Sequence, residues 1–484
     1  MLPKMLVVVL LMLSSVGCQA HATPVSIRPA HTGKCLEVQN ASLEAGASVA
    51  QATCADLSYK QFEGTGLVPD SGNPSEIPLT SHGAVGDGVS DDTVAVQRAL
   101  TQCSNEGLIC RVPRGHTFLI TRPIYMWGGA SLLGEDGTGT MHFTAPDPFL
   151  FMIGISGVNI KEIPWFGTVK HVRFVVTSVG AAATGRLFFF FRTQFATLTQ
   201  NAFYMGESTY SATSSHNANQ VLSGIPNYVR KDITITHNRI EVRRGPNGSE
   251  GFGLQDFDGA LIAHNTILGT ADDAIGIHQC FNIKILHNTL ETRGRLYVSN
   301  SRNVEIGHNR ITRGVSRSDG VFHESIALIY IGYELFRNTA YAPPTQIWIH
   351  DNYLQYLPGA IDGGAAISLL GARDTLVRNN TIVNDSSLVT AWAIRLAPQP
   401  MTNWADPTGV DPRDLARVHA TVIDNNKAIG AYPQEMVNHG ICRIGFVGPI
   451  VQTNNLAKAY NFVCGPGKIR DNATHSLQGT SKNP

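Results

Sequence analysis

A short phrase returns through the middle of this chain and limits what it can become. Ile233-Thr234-Ile235-Thr236-His237-Asn238-Arg239-Ile240 recurs as Leu261-Ile262-Ala263-His264-Asn265-Thr266-Ile267. It returns as Ile283-Lys284-Ile285-Leu286-His287-Asn288-Thr289-Leu290 and as Val304-Glu305-Ile306-Gly307-His308-Asn309-Arg310-Ile311, with weaker copies ending at Asn352, Asn380, Asn426 and Asn455. The asparagines at 238, 265, 288 and 309 are 27, 23 and 21 residues apart. Self-similarity at that period belongs to solenoids, in which each repeat buries its apolar face only against its neighbours. The alternating Ile, Leu and Val positions read as short strands with one buried face, and the Leu-x-x-Leu-x-Leu frame of a leucine-rich repeat is missing. The expected fold is therefore all-β, a parallel β-helix. In such a coil the asparagine sits at a sharp turn and stacks on the one above, its amide bonding the backbone of the next coil. His237, His264, His287 and His308 share that turn position in every coil, which accounts for them without a metal. Phe188 to Phe191 and the Ile/Leu positions read as core.

At 484 residues, with 43% hydrophobic and 15% charged residues and 47 glycines, the chain is a folded, turn-rich protein rather than a disordered one. Its formal net charge of zero points to neither nucleic acid nor an anionic membrane as partner. Met1 to Ala22 carries a lysine, an apolar run from Leu6 to Leu13 and Ala20-His21-Ala22 before Thr23, the pattern of a secretory signal. An extracellular protein is expected, and no later stretch reaches the ~18 apolar residues a membrane span requires. In an oxidising compartment, Cys35 with Cys54, Cys103 with Cys110, and Cys442 with Cys464 are expected to bridge, leaving Cys280 as a buried thiol.

Residues 23–66 contain Gly33-Lys34-Cys35-Leu36, a second cysteine at Cys54 and Gln61-Phe62. That order resembles one leaf of a ricin-type β-trefoil lectin, and the resemblance implies a small lectin-like segment docked on the main domain. A segment of about 40 residues buries too little apolar surface to fold without such help. Residues 67–77, with Pro69, Gly72 and Pro74, read as a linker. Next come Ser81-His82-Gly83-Ala84-Val85-Gly86-Asp87-Gly88-Val89-Ser90-Asp91-Asp92-Thr93 and a helical pattern with Val96, Ala99, Leu100 and Cys103 on one face. Asp91 and Asp92, ahead of the first turn, are expected as N-caps. With Val112-Pro113-Arg114-Gly115-His116-Thr117-Phe118 and Ala130-Ser131-Leu132-Leu133-Gly134-Glu135, this run resembles the N-terminal part of the pectate-lyase-like and rhamnogalacturonase-like proteins. The resemblance implies a right-handed parallel β-helix over residues 78–465, its open end capped by the N-terminal helix, with 466–484 as a tail.

Chemistry concentrates at Thr270-Ala271-Asp272-Asp273-Ala274-Ile275-Gly276-Ile277-His278, where two carboxylates open a strand. Counting back one repeat reaches Glu250, and counting forward reaches Arg293, Arg295 and Tyr297. Coils stacked about 4.8 Å apart would bring these residues to one corner. Two carboxylates held close can divide the roles of acid and base that glycoside cleavage needs. Here the resemblance to polygalacturonases and rhamnogalacturonases becomes specific: Asp272-Asp273 match that family's Asp-Asp pair, and Glu250-Gly251 its Asp-Gly. Gly294-Arg295-Leu296 stands where Gly-His-Gly is expected, and Leu328-Ile329-Tyr330 where Arg-x-Lys is expected. The expectation is a polysaccharide-cleaving enzyme with Glu250, Asp272 and Asp273 as catalytic carboxyls, and with Arg293, Arg295, His278, Tyr297 and His323 binding substrate. It needs no cofactor. A uronate lyase or epimerase is the alternative, with arginine as carboxylate clamp, Tyr297 or His323 as base, or calcium on Glu250, Asp272 and Asp273. A non-catalytic polysaccharide-binding spiral is the third reading.

Overall fold

The computed structural model describes residues 34–38, 49–53 and 75–471 except 145–146, 148, 158–160, 178–184, 207–208, 215–229, 243–249, 271–272, 314–326, 333–342, 361–364, 387–391, 398–417, 431–445 and 454–469. The chain divides into two compact units, Met1–Leu67 and Val68–Pro484. In the first, Lys34–Val38 pairs antiparallel with Val49–Thr53, Cys35 opposite Ala52. The signal segment, most of the lectin-like leaf, and the Cys35–Cys54 and Cys442–Cys464 pairings lie outside the described residues. No helix among those described is long and apolar enough to cross a membrane.

The second unit is a parallel β-helix. Its described strands form sheets of 10, 14 and 12 strands in which each strand's neighbour is one coil away in sequence. One coil runs through Glu250–Gln255 in the first sheet, Phe257–Ala263 in the second and Thr266–Leu268 in the third, before Asp273–His278 re-enters the first. The spiral starts at Glu76–Pro78, paired with Ile109–Val112, so the expected linker ends before residue 76. Registers are continuous: Ile235, Ile262, Ile285, Ile306, Ile349, Val377 and Ile423 face one another on successive coils, all fully buried. Each such side chain contributes roughly 2 kcal/mol of burial, and branching at Cβ suits the pleated wall. Of Phe188 to Phe191, alternation sends only two inward. Phe188 and Phe190 join the main core, while Phe189 and Phe191 pack with Ile155 on the outer side.

The turn between second and third sheets explains the repeated His-Asn. His237, His264, His287 and His308 are left-handed at φ 55–56°, a conformation that reverses the chain in one residue. Their rings stack at 4.9, 5.0 and 4.8 Å. Burial, followed by the neighbouring His237 and His287, holds His264 below the usual imidazole range. The asparagine behind each is buried and forms a continuous ladder through Asn201, Asn238, Asn265, Asn288, Asn309, Asn352, Asn380 and Asn426. Asn265 Oδ1 accepts from Asn238 N–H (2.9 Å) and Nδ2 (3.0 Å), and its own Nδ2 donates to Ile235 O (2.8 Å) and Asn288 Oδ1 (3.0 Å). The side chain thus satisfies backbone groups that the turn takes out of the sheet.

Helix α1 (Thr93–Glu106) buries Val96, Ala99, Leu100 and Cys103 in the core shared with Leu79, Phe118 and Ile124. The bridge Cys103–Cys110 ties its last turn to the strand Ile109–Val112, as expected. The two aspartates divide the work differently from expectation. Asp92 occupies the N-cap position but gives α1 no side-chain bond. Its carboxylate takes the N–H groups of Val85 (2.6 Å) and Gly86 (3.1 Å) and folds the preceding turn. Asp91 receives Thr93 N–H at 3.0 Å instead.

Candidate functional site

The first sheet carries the acidic corner. Phe252 lies opposite Ile275, so Glu250 and Asp273 each stand two residues ahead of that pair on adjacent strands. On the next coil Asp273 is opposite Arg295 while Ile275 is opposite Leu296, a bulge that fits two residues of one strand against one of the other. The bulge breaks strict alternation: Ala274 and Ile275 are both fully buried, and Asp273 shares the outer face with Gly276 and His278. A Cβ on Gly276 would come within 3.2 Å of both Asp273 Oδ2 and His278 Nε2, so glycine keeps open the space between them.

Arg295 Nε donates to Asp273 Oδ1 at 2.8 Å, and the guanidinium lies over the faces of Tyr297 (4.2 Å) and Tyr330 (4.8 Å). A cation bounded by a carboxylate and two negative ring faces is held on three sides. Tyr297 and Tyr330 are edge to face at 5.1 Å, and Tyr297 meets the His278 ring at 5.2 Å. His278 Nδ1 hydrogen-bonds Ser299 Oγ at 2.8 Å, which fixes the ring. Behind this corner, burial pushes the Asp256 carboxyl above its usual range, partly offset by Arg230 and His278. Burial also pushes the Cys280 thiol up to about 12, leaving it unreactive as a nucleophile.

Glu250, Asp273, Arg295, His278 and Tyr297 are thus brought together from three consecutive coils. Arg293 touches the corner through its backbone, its N–H donating to Thr270 O at 3.0 Å. Asp272 and His323 lie outside the described residues. Glu250 and Asp273 each keep only 3% exposure, and Tyr297 5%. Asp273, one of the three carboxyls expected for a calcium-assisted lyase, is paired with Arg295, and Asp272, another, lies outside the described residues. Sequence reasoning reached Tyr330 only as a departure from the expected basic pair and passed over Ser299, two residues beyond Tyr297; Tyr330 lies opposite Tyr297 and Ser299 opposite His278.

The family described as rhamnogalacturonase A/epimerase, pectate lyase-like matches residues 77–320, about half of the chain and the part that includes this corner. No curated protein matches. Among solved structures, the chain is similar to PfbA, a surface adhesin of Streptococcus pneumoniae, at 15% identity and a TM-score of 0.50, over 79% of this chain and 91% of that one. It is similar to the tailspike protein of the E. coli bacteriophage HK620, solved with a pentasaccharide, at 10% identity and a TM-score of 0.50, over 78% of this chain and 66% of that one. At such identities the likeness is one of fold alone.

Proposed function

Because this chain belongs to the rhamnogalacturonase A/epimerase, pectate lyase-like family of carbohydrate-active parallel β-helices, we propose that it is a secreted glycoside hydrolase acting on a polysaccharide. The observation that carries this reading is the pairing of Glu250 and Asp273 at matching places on adjacent coils, with Arg295 bound to Asp273 at 2.8 Å. Hydrolysis needs one carboxyl that gives a proton to the leaving oxygen and one that stays ionised to activate water or attack the sugar carbon. In this reading Asp273, which accepts from Arg295, acts as the ionised carboxyl and Glu250 as the proton donor. One strand spacing of about 4.8 Å, plus the different lengths of Glu and Asp, suits two carboxyls flanking a glycosidic bond. His278 and Tyr297 bound the space that Gly276 leaves clear and would orient the ring. The Cys103–Cys110 bridge supports an oxidising location outside the cytoplasm, in keeping with the Met1–Ala22 signal.

A second reading, β-elimination or C5 epimerisation of a uronate, draws on the Arg295 guanidinium lying 4.2 Å over Tyr297, which sets a cation that could bind a carboxylate beside a phenol that could serve as base. Against it, Arg295 already holds Asp273 and has less charge to offer a substrate carboxylate. Release assays on neutral and acidic polysaccharides decide between the two. Hydrolysis yields new reducing ends without ultraviolet absorbance. Elimination yields an unsaturated uronate, and that product would replace the first reading by the second. Asp273→Asn is expected to lower turnover about 10²–10⁴-fold with the far-ultraviolet circular dichroism retained, and Glu250→Gln provides the same test from the other carboxyl. Undiminished turnover by both variants would remove the assignment, and binding without any turnover would favour the non-catalytic spiral.

A further inference from the structure

The histidine stack ends in an irregularity. Where four coils read His-Asn at the turn, the next reads His350-Asp351-Asn352, and Asp351 takes the left-handed place at φ 54°. His350 is displaced onto the last position of the strand Thr345–His350, opposite Gly307 of the preceding coil. Its ring lies over that glycine: a Cβ on Gly307 would come within 2.6 Å of His350 Nε2. Only the missing side chain lets the imidazole reach across the coil boundary.

Both nitrogens of that ring face carboxylates. Nδ1 is 2.8 Å from Asp351 Oδ2, and Nε2 is 3.2 Å from Glu305 Oε1. Glu305 is itself held by Lys284, Nζ to Oε2 at 3.1 Å. The exposed ring of His308 stands edge-on to His350 at 5.3 Å. One donor atom from each of His308, His350 and Asp351 lies within 4.8 Å of the other two. A neutral imidazole has a single N–H, and when Glu305 takes it, the Nδ1 lone pair points at a carboxylate oxygen. A positive charge between those two atoms relieves the repulsion.

The geometry points to a binding site for a divalent transition cation of the zinc class, with His308, His350 Nδ1 and Asp351 as its ligands. Two imidazoles and one carboxylate suit zinc, whereas calcium asks for six to eight oxygens. Glu305 plays the outer part, fixing the tautomer and the plane of the ligand ring, with Lys284 fixing Glu305. Zinc–ligand bonds of about 2.0–2.1 Å place tetrahedral donors roughly 3.4 Å apart, so the exposed His308 must close in by a side-chain rotation while Asp351 Oδ2, now 2.8 Å from His350 Nδ1, opens slightly to admit the ion. The ligands come from two adjacent coils, on either side of the 43 residues that separate Asn309 from Asn352. A metal here would staple those coils at the turn between second and third sheets, away from the acidic corner of the first, and the proposal stands apart from any activity.

The test is titration of the chelator-washed, full-length chain with Zn²⁺ by calorimetry, with Co²⁺ absorption as a spectroscopic second readout. One equivalent is expected to bind in the micromolar range, with a tetrahedral Co²⁺ spectrum. His308→Asn, which keeps a residue tolerant of the left-handed turn, and Asp351→Asn should each weaken binding at least tenfold, and Glu305→Gln about 10–100-fold. His264→Asn, in the stack but outside the cluster, should bind as the unaltered chain does. Absence of an equivalent below millimolar Zn²⁺, an unchanged titration in His308→Asn and Asp351→Asn, or loss of binding in His264→Asn would each overturn the proposal.

Discussion

Replacing Asn265 by alanine removes one rung of the ladder, and its cost can be worked from the bonds lost. The side chain accepts from Asn238 N–H and Nδ2, and donates to Ile235 O, Ala263 O and Asn288 Oδ1. Alanine withdraws the side-chain partners of Asn238 N–H and Ile235 O. Each buried backbone group so stranded costs about 1–3 kcal/mol, giving about 4 kcal/mol for the pair. With a urea slope on the order of 3 kcal/mol/M for a domain this large, the unfolding midpoint should fall by about 1.3 M. Tryptophan fluorescence and circular dichroism should report the same midpoint. His264→Asn is the companion variant: it alters an exposed residue one position away, keeps a side chain suited to positive φ, and should shift stability by no more than about 0.5 kcal/mol. A shift below about 0.3 M for Asn265→Ala, or one no larger than that of His264→Asn, would refute the claim that the ladder bears on stability.

Three further outcomes are expected. Arg295→Met takes the guanidinium from the buried Asp273 carboxylate and should cost about 3–5 kcal/mol, whereas the double variant Asp273→Asn/Arg295→Met should recover most of that loss in thermal unfolding; simple addition of the two single effects would contradict the ion pair. Breaking Cys103–Cys110 by a double change to serine releases a closed loop of sequence separation 7, and loop-closure entropy sets the loss at about 2.5 kcal/mol; an unaltered melting temperature would show the bridge to be idle. For Glu305, burial pushes the carboxyl up, but Lys284 and then His350 outweigh it and hold it below its ordinary 4.5. A carboxyl depressed in the folded state stabilises fully above the unfolded value and loses that contribution as pH falls through the lower folded one. Glu305→Gln should therefore lower the melting temperature at pH 7 in the presence of chelator, and that loss should fade as pH falls through the lowered folded value; an equal loss across the acid range would exclude an electrostatic origin.

The spiral was readable because each coil solves the same turn with the same two residues. Left-handed φ at His237, His264, His287 and His308 and a buried amide at the next position are local demands, and local demands leave a pattern in the chain. The register of the acidic corner was readable only to within a residue. Without the bulge at Ala274 the Ile275–Leu296 register would set Gly294 opposite Asp273; with it Arg295 stands there, and a bulge depends on how two strands fit, which no single stretch encodes. The burial of Glu250 and Asp273 was equally hidden, since the exposure of a side chain depends on neighbours far away in the chain. His350 escaped for the opposite reason: one substituted turn residue, Asp351 for histidine, moved it out of the column, so that it looked like an ordinary strand end.

Successive ladder asparagines stand 37, 27, 23, 21, 43, 28 and 46 residues apart in the chain, and the amide contacts between them nevertheless stay at 2.9–3.1 Å. The pitch of the spiral is thereby decoupled from the amount of chain each lap contains. Long segments can be gained, traded or trimmed between two asparagines without shifting the frame by a single pairing. A scaffold of this sort can change its customers by altering its detours while its axis stays where it was, and segment exchange between relatives is the natural way to redirect it.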